Sequence, residues 1–198
     1  MTPVVDRLLL GVGLAHALVG IACFARLWAG ATPIFGVHPA LKPLKFAASI
    51  AAFLVTMAVL VPSLSVSGRT RDLLSWALSL STIVEMAAIG TQALRGRRSH
   101  FNFEHPLDAA FAMAMLLGIL TLLVTMSAIT LLATALPLRQ PALSSVAFRA
   151  ALWIFLFAAV SGFGMGNRGR HTRRVRGGAR PRPAAAVVVA SPRRQRRR

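Results

Sequence analysis

The chain has 198 residues, 56% of them hydrophobic and only 14% charged, with 23 Lys and Arg against 5 Asp and Glu. A soluble domain is about half apolar or less and about a quarter charged. One core could not hide the long apolar blocks seen here from water. The composition excludes a water-soluble fold and points to an all-α, polytopic transmembrane helical bundle of about five helices.

The first apolar block, Val4 to Trp28, is too long for a signal-peptide core, and its short leader holds Asp6 beside Arg7. It reads as a membrane helix, with Arg26 and Trp28 suited to the interface. Cys23 lies inside it as the one cysteine, so no intrachain disulfide forms. Pro33, Pro39 and Pro43 punctuate the connector to a second helix over 44–61, which Pro62 closes. A third helix spans 73–94. The loop from Arg95 to Asp108 gathers Arg, His and acidic residues. A fourth helix covers 109–136; about 28 residues rise about 42 Å, more than the hydrocarbon core, so it tilts or protrudes. The fifth, 148–165, is near the minimum spanning length. The transmembrane domain thus occupies 1–166. Residues 167–198 form an Arg/Pro/Ala-rich tail with no helical or strand period, expected to be disordered.

Twelve of the 23 basic residues follow Asn167, and no acid does. Counted with the tail, the Lys/Arg bias puts the C-terminus in the cytoplasm. Without it, only the Arg95, Arg97, Arg98 cluster votes clearly, and for the same side. The expected location is the plasma membrane of a bacterium, the inner membrane, crossed several times.

Ionisable groups deep in a bilayer are costly and usually face protein or water. Two such residues are His16 and Glu85. Glu85 shares one helix face with Ser75, Ser79, Thr82 and Gln92, at successive offsets of 4, 3, 3 and 7. Lys42, Lys45, Ser49 and Thr56 make a comparable stripe on the second helix, so the two stripes are expected to meet, with Lys45 reaching Gln92 or Glu85. One reading is a seam that binds a small polar or anionic ligand; the other is Ser/Thr packing between helices. His16 stands among Gly13, Gly20 and Cys23 on a small-residue face. It is either a hydrogen-bonded core residue or a haem ligand in a redox component, although no other helix supplies a second His at matching depth.

His100, Glu104 and His105 match no metal-ligand spacing. Gly162-Phe-Gly-Met-Gly166 follows a membrane helix and not a strand, so it is no nucleotide turn. There is no phosphate-binding loop, zinc motif or nucleophile elbow. No catalytic residue, metal or cofactor is implied.

Two segments carry a resemblance. His38 to Ser49, HPALKPLKFAAS, resembles a helix opening in a group of uncharacterised bacterial polytopic membrane proteins. Gln92 to Asn102, QALRGRRSHFN, resembles the signature loop of the same group. The resemblance covers roughly 36–172 and implies that Lys42, Lys45, Gln92, Arg95, Ser99, His100 and Asn102 form one unit. It brings no activity or catalytic residue. Members of the group continue into further membrane helices; here the chain turns to Arg, Pro, Ala and Val from about Thr172, the composition of a GC-rich gene truncated or read out of frame. The rival reading is a basic tail that binds anionic lipid. Nucleic acid is disfavoured, since no aromatic follows Phe163 for base stacking.

The functional expectation is a membrane protein that binds or transports a small polar or anionic ligand, at Lys42, Lys45, Glu85, Gln92, Arg95, Ser99, His100 and Asn102. The alternatives are a structural or accessory subunit and a haem-binding component using His16.

Overall fold

The computed structural model describes residues 5–30, 38–97, 103, 105–139 and 141–177, with the backbone alone at 142–143 and 162–177. Five α-helices follow one another: α1 Arg7–Trp28, α2 Leu41–Leu60, α3 Gly68–Leu94, α4 Pro106–Ala135 and α5 Ala142–Gly177. A 3-10 turn, Val61–Ser63, extends α2. All five contain a stretch long and apolar enough to cross a membrane; in α5 it is Ser144–Ser161. The chain is a polytopic helical bundle.

The helix starts are set by caps that a hydropathy reading does not register. Asp6 caps α1, its Oδ1 accepting from the Leu9 N–H at 3.0 Å. Ser67 caps α3 by accepting from the Thr70 N–H at 3.2 Å, so α3 begins with the polar turn at Gly68 and not at Leu73. α2 begins at Leu41, with Pro43 in its first turn, where a missing N–H removes no helical bond. Pro106 opens α4 for the same reason. α5 starts at Ala142, six residues before the expected Phe148, and its helical backbone continues past Met165 to Gly177. No proline interrupts it, and arginine is a good helix former. The rest of the expected tail, 178–198, lies outside the described residues. Val160 to the C-terminus forms a separate unit, described only as the continuing helix.

Neighbouring helices run antiparallel. α1 packs most extensively on α2, and α3 on α4; α2–α3 and α1–α3 contacts are smaller. Glycine makes the closest approaches. A Cβ on Gly13 would lie 3.1–3.3 Å from Val55 and Leu54, and one on Gly118 would lie 3.3 Å from the Ser81 carbonyl oxygen. Small residues let backbones meet where lipid provides no hydrophobic drive between helices. The main apolar core joins Leu9, Leu54, Leu78, Met126 and Ile129 to Phe148 and Leu152 of α5.

One end is locked by polar contacts. The Asp6 N–H donates to the Ala58 carbonyl at 2.8 Å, and Asp6 Oδ2 accepts from the Ser75 hydroxyl at 2.5 Å, so α1, α2 and α3 meet there. The Arg139 N–H donates to the Ser63 carbonyl at 2.9 Å, beside a Leu64–Leu138 bridge. Arg149 donates from Nε to the Ala133 carbonyl (2.7 Å) and from Nη2 to that of Leu136 (3.2 Å). A cation there also complements the negative end of the α4 dipole.

α3 is turned inside out relative to a soluble helix. Ser75, Ser79, Ser81, Thr82, Glu85 and Gln92 are buried, while Leu73, Trp76, Leu80, Ile83 and Leu94 are exposed. Such an outer face suits hydrocarbon.

Candidate functional site

The sequence places Ser75, Ser79, Thr82, Glu85 and Gln92 on one face of α3, and that face is the buried one. Part of its middle is satisfied locally, although Ser79 Oγ is buried without a partner. Ser81 donates to the Leu78 carbonyl at 3.0 Å, and Thr82 donates to the carbonyls of Leu78 and Ser79 at 2.9 and 3.0 Å. This part of the seam behaves as helix–helix packing.

The expected matching stripe on α2 does not face α3. Lys42, Lys45, Ser49 and Thr56 are exposed, and the Thr56 hydroxyl donates to its own Ala52 carbonyl at 2.8 Å. α2 instead buries Pro43, Ala47, Ile50, Leu54 and Met57. The reason is α1: a partner with glycines on its inner face takes small and apolar residues, and Ala47 Cβ lies 3.7 Å from where a Gly20 Cβ would be. The charge of Lys42 nevertheless acts on Glu85. The cation whose charge acts on Glu85 is thus Lys42, one turn before the expected Lys45. Its Nζ lies 5.7 Å from the Phe46 ring centroid.

Two turns beyond Glu85, the end of α3 meets the start of α4. Gln92 is fully buried, and its Nε2 donates to Asp108 Oδ1 at 3.0 Å. Arg95 Nη1 donates to Gln92 Oε1 at 2.7 Å and to Asp108 Oδ1 at 2.6 Å. The guanidinium lies 6.0 Å from the Phe111 ring centroid, echoing Lys42 over Phe46. The backbone sets this up: Gly96, at φ 63°, stops α3, and the Arg97 N–H returns to the Gln92 carbonyl at 2.9 Å. Asp108 has no exposed surface, whereas the Arg95 side chain is 32% exposed, so Arg95 connects the carboxylate to the outside. Asp108 Oδ2 is buried with no hydrogen-bond partner.

Asp108 was not among the residues singled out from the sequence, where it closes the polar loop. Its signal was present: an acid in the first turn of a proline-started helix, sixteen residues after Gln92. Of the expected set, Gln92 is brought to Arg95, Lys42 acts on Glu85 through its charge, and Lys45 is exposed. Ser99, His100 and Asn102 lie outside the described residues. His38 is at the same end; its Nδ1 accepts from the Ala40 N–H at 3.1 Å, and its Nε2 is buried without a partner.

His16 packs between α1 and α3. Its Nδ1 is 2.8 Å from the Val12 carbonyl oxygen and its Nε2 3.4 Å from that of Thr82. Axial ligation of iron needs a ring nitrogen with its lone pair toward open space. Both His16 nitrogens face backbone oxygens inside a packed interface, which fits the core-residue reading. Among the described residues no group of three His, Cys, Asp or Glu is placed to hold a metal ion. No protein family, no curated protein and no solved structure matches the chain.

Proposed function

We propose that this protein is a multi-pass protein of the bacterial inner membrane, C-terminus in the cytoplasm, that binds a small polar ligand where Lys42, Glu85, Gln92, Arg95 and Asp108 gather. The basic residues after Leu94 support the orientation, since Lys and Arg favour cytoplasmic loops. One observation carries the binding reading: the half-used Asp108 carboxylate, with Oδ2 buried and unpartnered. A buried acceptor left empty costs stability and calls for a partner. The Ser99-His-Phe-Asn102 segment, which begins four residues after Arg95, belongs to the same proposed unit.

A second reading has its own support. The hydroxyls of Ser81, Thr82, Thr125 and Thr130 all bond back to carbonyls of their own helices. A structural or accessory subunit would use its seam in this way, as packing.

Thermal unfolding of the purified chain with acetate, phosphate, ethanolamine and myo-inositol separates the two. Ligand binding predicts a saturable rise in Tm with at least one solute class, lost in Glu85→Gln. If no class gives a saturable shift and Glu85→Gln only lowers accumulation, the accessory reading stands.

A further inference from the structure

In the cluster at the ends of α3 and α4 charge is compensated more fully than hydrogen bonding, with Arg97 adding its charge to that of Arg95 beside Asp108. Arg95 holds Asp108, and Lys42 acts on Glu85, so each buried carboxylate already has a cation. Donors are what is short. Asp108 Oδ2 accepts nothing.

This inventory discriminates between ligand classes. An anion has no proton to give Asp108 Oδ2 and would set a second negative charge beside that buried carboxylate. An organic cation would add an uncompensated positive charge beside Arg95 and Lys42. A divalent metal needs about six oxygen ligands within bonding distance, and no carboxylate group of the required size is present among the described residues. Hydroxyl groups fit both needs, because each donates one hydrogen bond and accepts up to two. One O–H can donate to Asp108 Oδ2 while an oxygen of the same molecule accepts from an outward N–H of Arg95, which is 32% exposed.

Resting on the ligand-binding reading above, we infer that the site takes an uncharged polyol, held through hydroxyl donors to Asp108 and Glu85, either free or as the headgroup of a glycolipid. Glu85 is the second contact. It stands seven residues before Gln92, about 10 Å along the axis, and keeps 7% of its surface. The open acceptor on Asp108 thus reverses the anionic preference that the Arg-rich loop suggests from sequence.

The test uses the full chain in an amine-oxide detergent, whose headgroup carries no sugar. myo-Inositol, phosphate and ethanolamine are titrated separately, read by Tm and by saturation-transfer NMR. Inositol is expected to saturate, which separates binding from the gradual effect of an excluded osmolyte. Glu85→Gln should weaken it about tenfold, as a charge-assisted bond becomes a neutral one. Asp108→Asn should do the same; if that variant does not fold, Glu85→Gln decides alone. Nanodiscs of phosphatidylcholine with and without galactosyl diacylglycerol distinguish the source, a glycolipid-dependent rise in Tm without inositol binding assigning the headgroup. If phosphate or ethanolamine saturates instead, the polyol inference falls and the binding site stands. If no probe in either format binds, both fall.

Discussion

Replacing Gly13 by Ala puts a methyl group where α1 and α2 already touch. The new Cβ would sit 3.1 Å from Val55 Cγ2, 3.2 Å from Val55 N and 3.3 Å from Leu54 Cβ. Two of those atoms belong to the backbone or its first carbon and cannot rotate away, so α2 itself must move by a few tenths of an ångström. Overpacking of this kind costs about 1–3 kcal/mol. Against it stands the helix-propensity gain of Ala over Gly, about 1 kcal/mol in water. Gly11 supplies the reference, because a Cβ there meets nothing within 4 Å. The Gly13→Ala minus Gly11→Ala difference therefore isolates the clash, about 5- to 150-fold in the unfolding equilibrium. Gly20→Ala has the opposite sign relative to Gly13→Ala, since its Cβ would meet Ala47 and Ala48 at 3.7 and 3.8 Å, ordinary contact. Reversible unfolding in bicelles, followed by tryptophan fluorescence, measures all three. If Gly13→Ala falls within about 0.5 kcal/mol of Gly11→Ala, the spread expected of independent sites, the close packing of α1 on α2 is wrong.

Other substitutions probe the two ends of the bundle. Arg149→Met removes both hydrogen bonds to the α4 C-terminus and should cost about 1.5–3 kcal/mol in the same unfolding assay; Arg149→Lys should recover part of it, and equal stability of all three would refute the capping role. Asp6→Ala should cost about 0.5–2 kcal/mol through the lost cap alone, with Asp6→Asn milder because an amide oxygen still caps; no loss in either removes Asp6 as the junction of α1, α2 and α3. Gln92→Leu should lower Tm more than Leu94→Ala, an exposed site one turn-half away, because it strips partners from both Arg95 and Asp108. Haemin added to the purified chain should give no histidine-ligated Soret band; one that His16→Leu abolishes would overturn the assignment of His16 to the core.

The long apolar runs made the five helices legible, because a bilayer imposes length and composition together. Their starts were less so. Ser67 and the polar turn Gly68–Asp72 extend α3 outside any apolar window, and a start there depends on one cap hydrogen bond. The buried stripe of α3 was also readable, since its offsets fix a face whatever the partner. Which helix faces it was not. Adjacency in sequence suggested α2, but the glycine face of α1 claims the inner side of α2, and α4 takes most of α3. Periodicity assigns a face; only packing assigns the neighbour. The same gap hid Asp108, whose role depends on a residue of another helix.

The burial of α3 explains where the chemistry collects. In its most apolar window 56% of residues are buried, against 39% or less in each of the other spans. A helix surrounded by α1, α2 and α4 can carry Glu85 and Gln92 at little exposure to hydrocarbon, which the outer helices cannot. Along its middle, the Thr82 hydroxyl is closed by carbonyls of the same helix, while Ser79 Oγ is buried without a partner. At the Arg95 end the polar face carries charges instead of hydroxyls, and side chains from α2, α3 and α4 compensate one another. They do so for charge, through Lys42 with Glu85 and Arg95 with Asp108, but leave Asp108 Oδ2 empty. A purely structural junction gains nothing from an unfilled buried acceptor, and substituting the pair separates the possibilities. If the junction is only structural, the double variant Arg95→Met, Asp108→Leu should match or exceed the wild-type Tm, as apolar replacement of buried ion pairs often does, and should leave any phenotype of the intact gene unchanged. Loss of that phenotype at full Tm would place function, and not stability, at this end of the bundle.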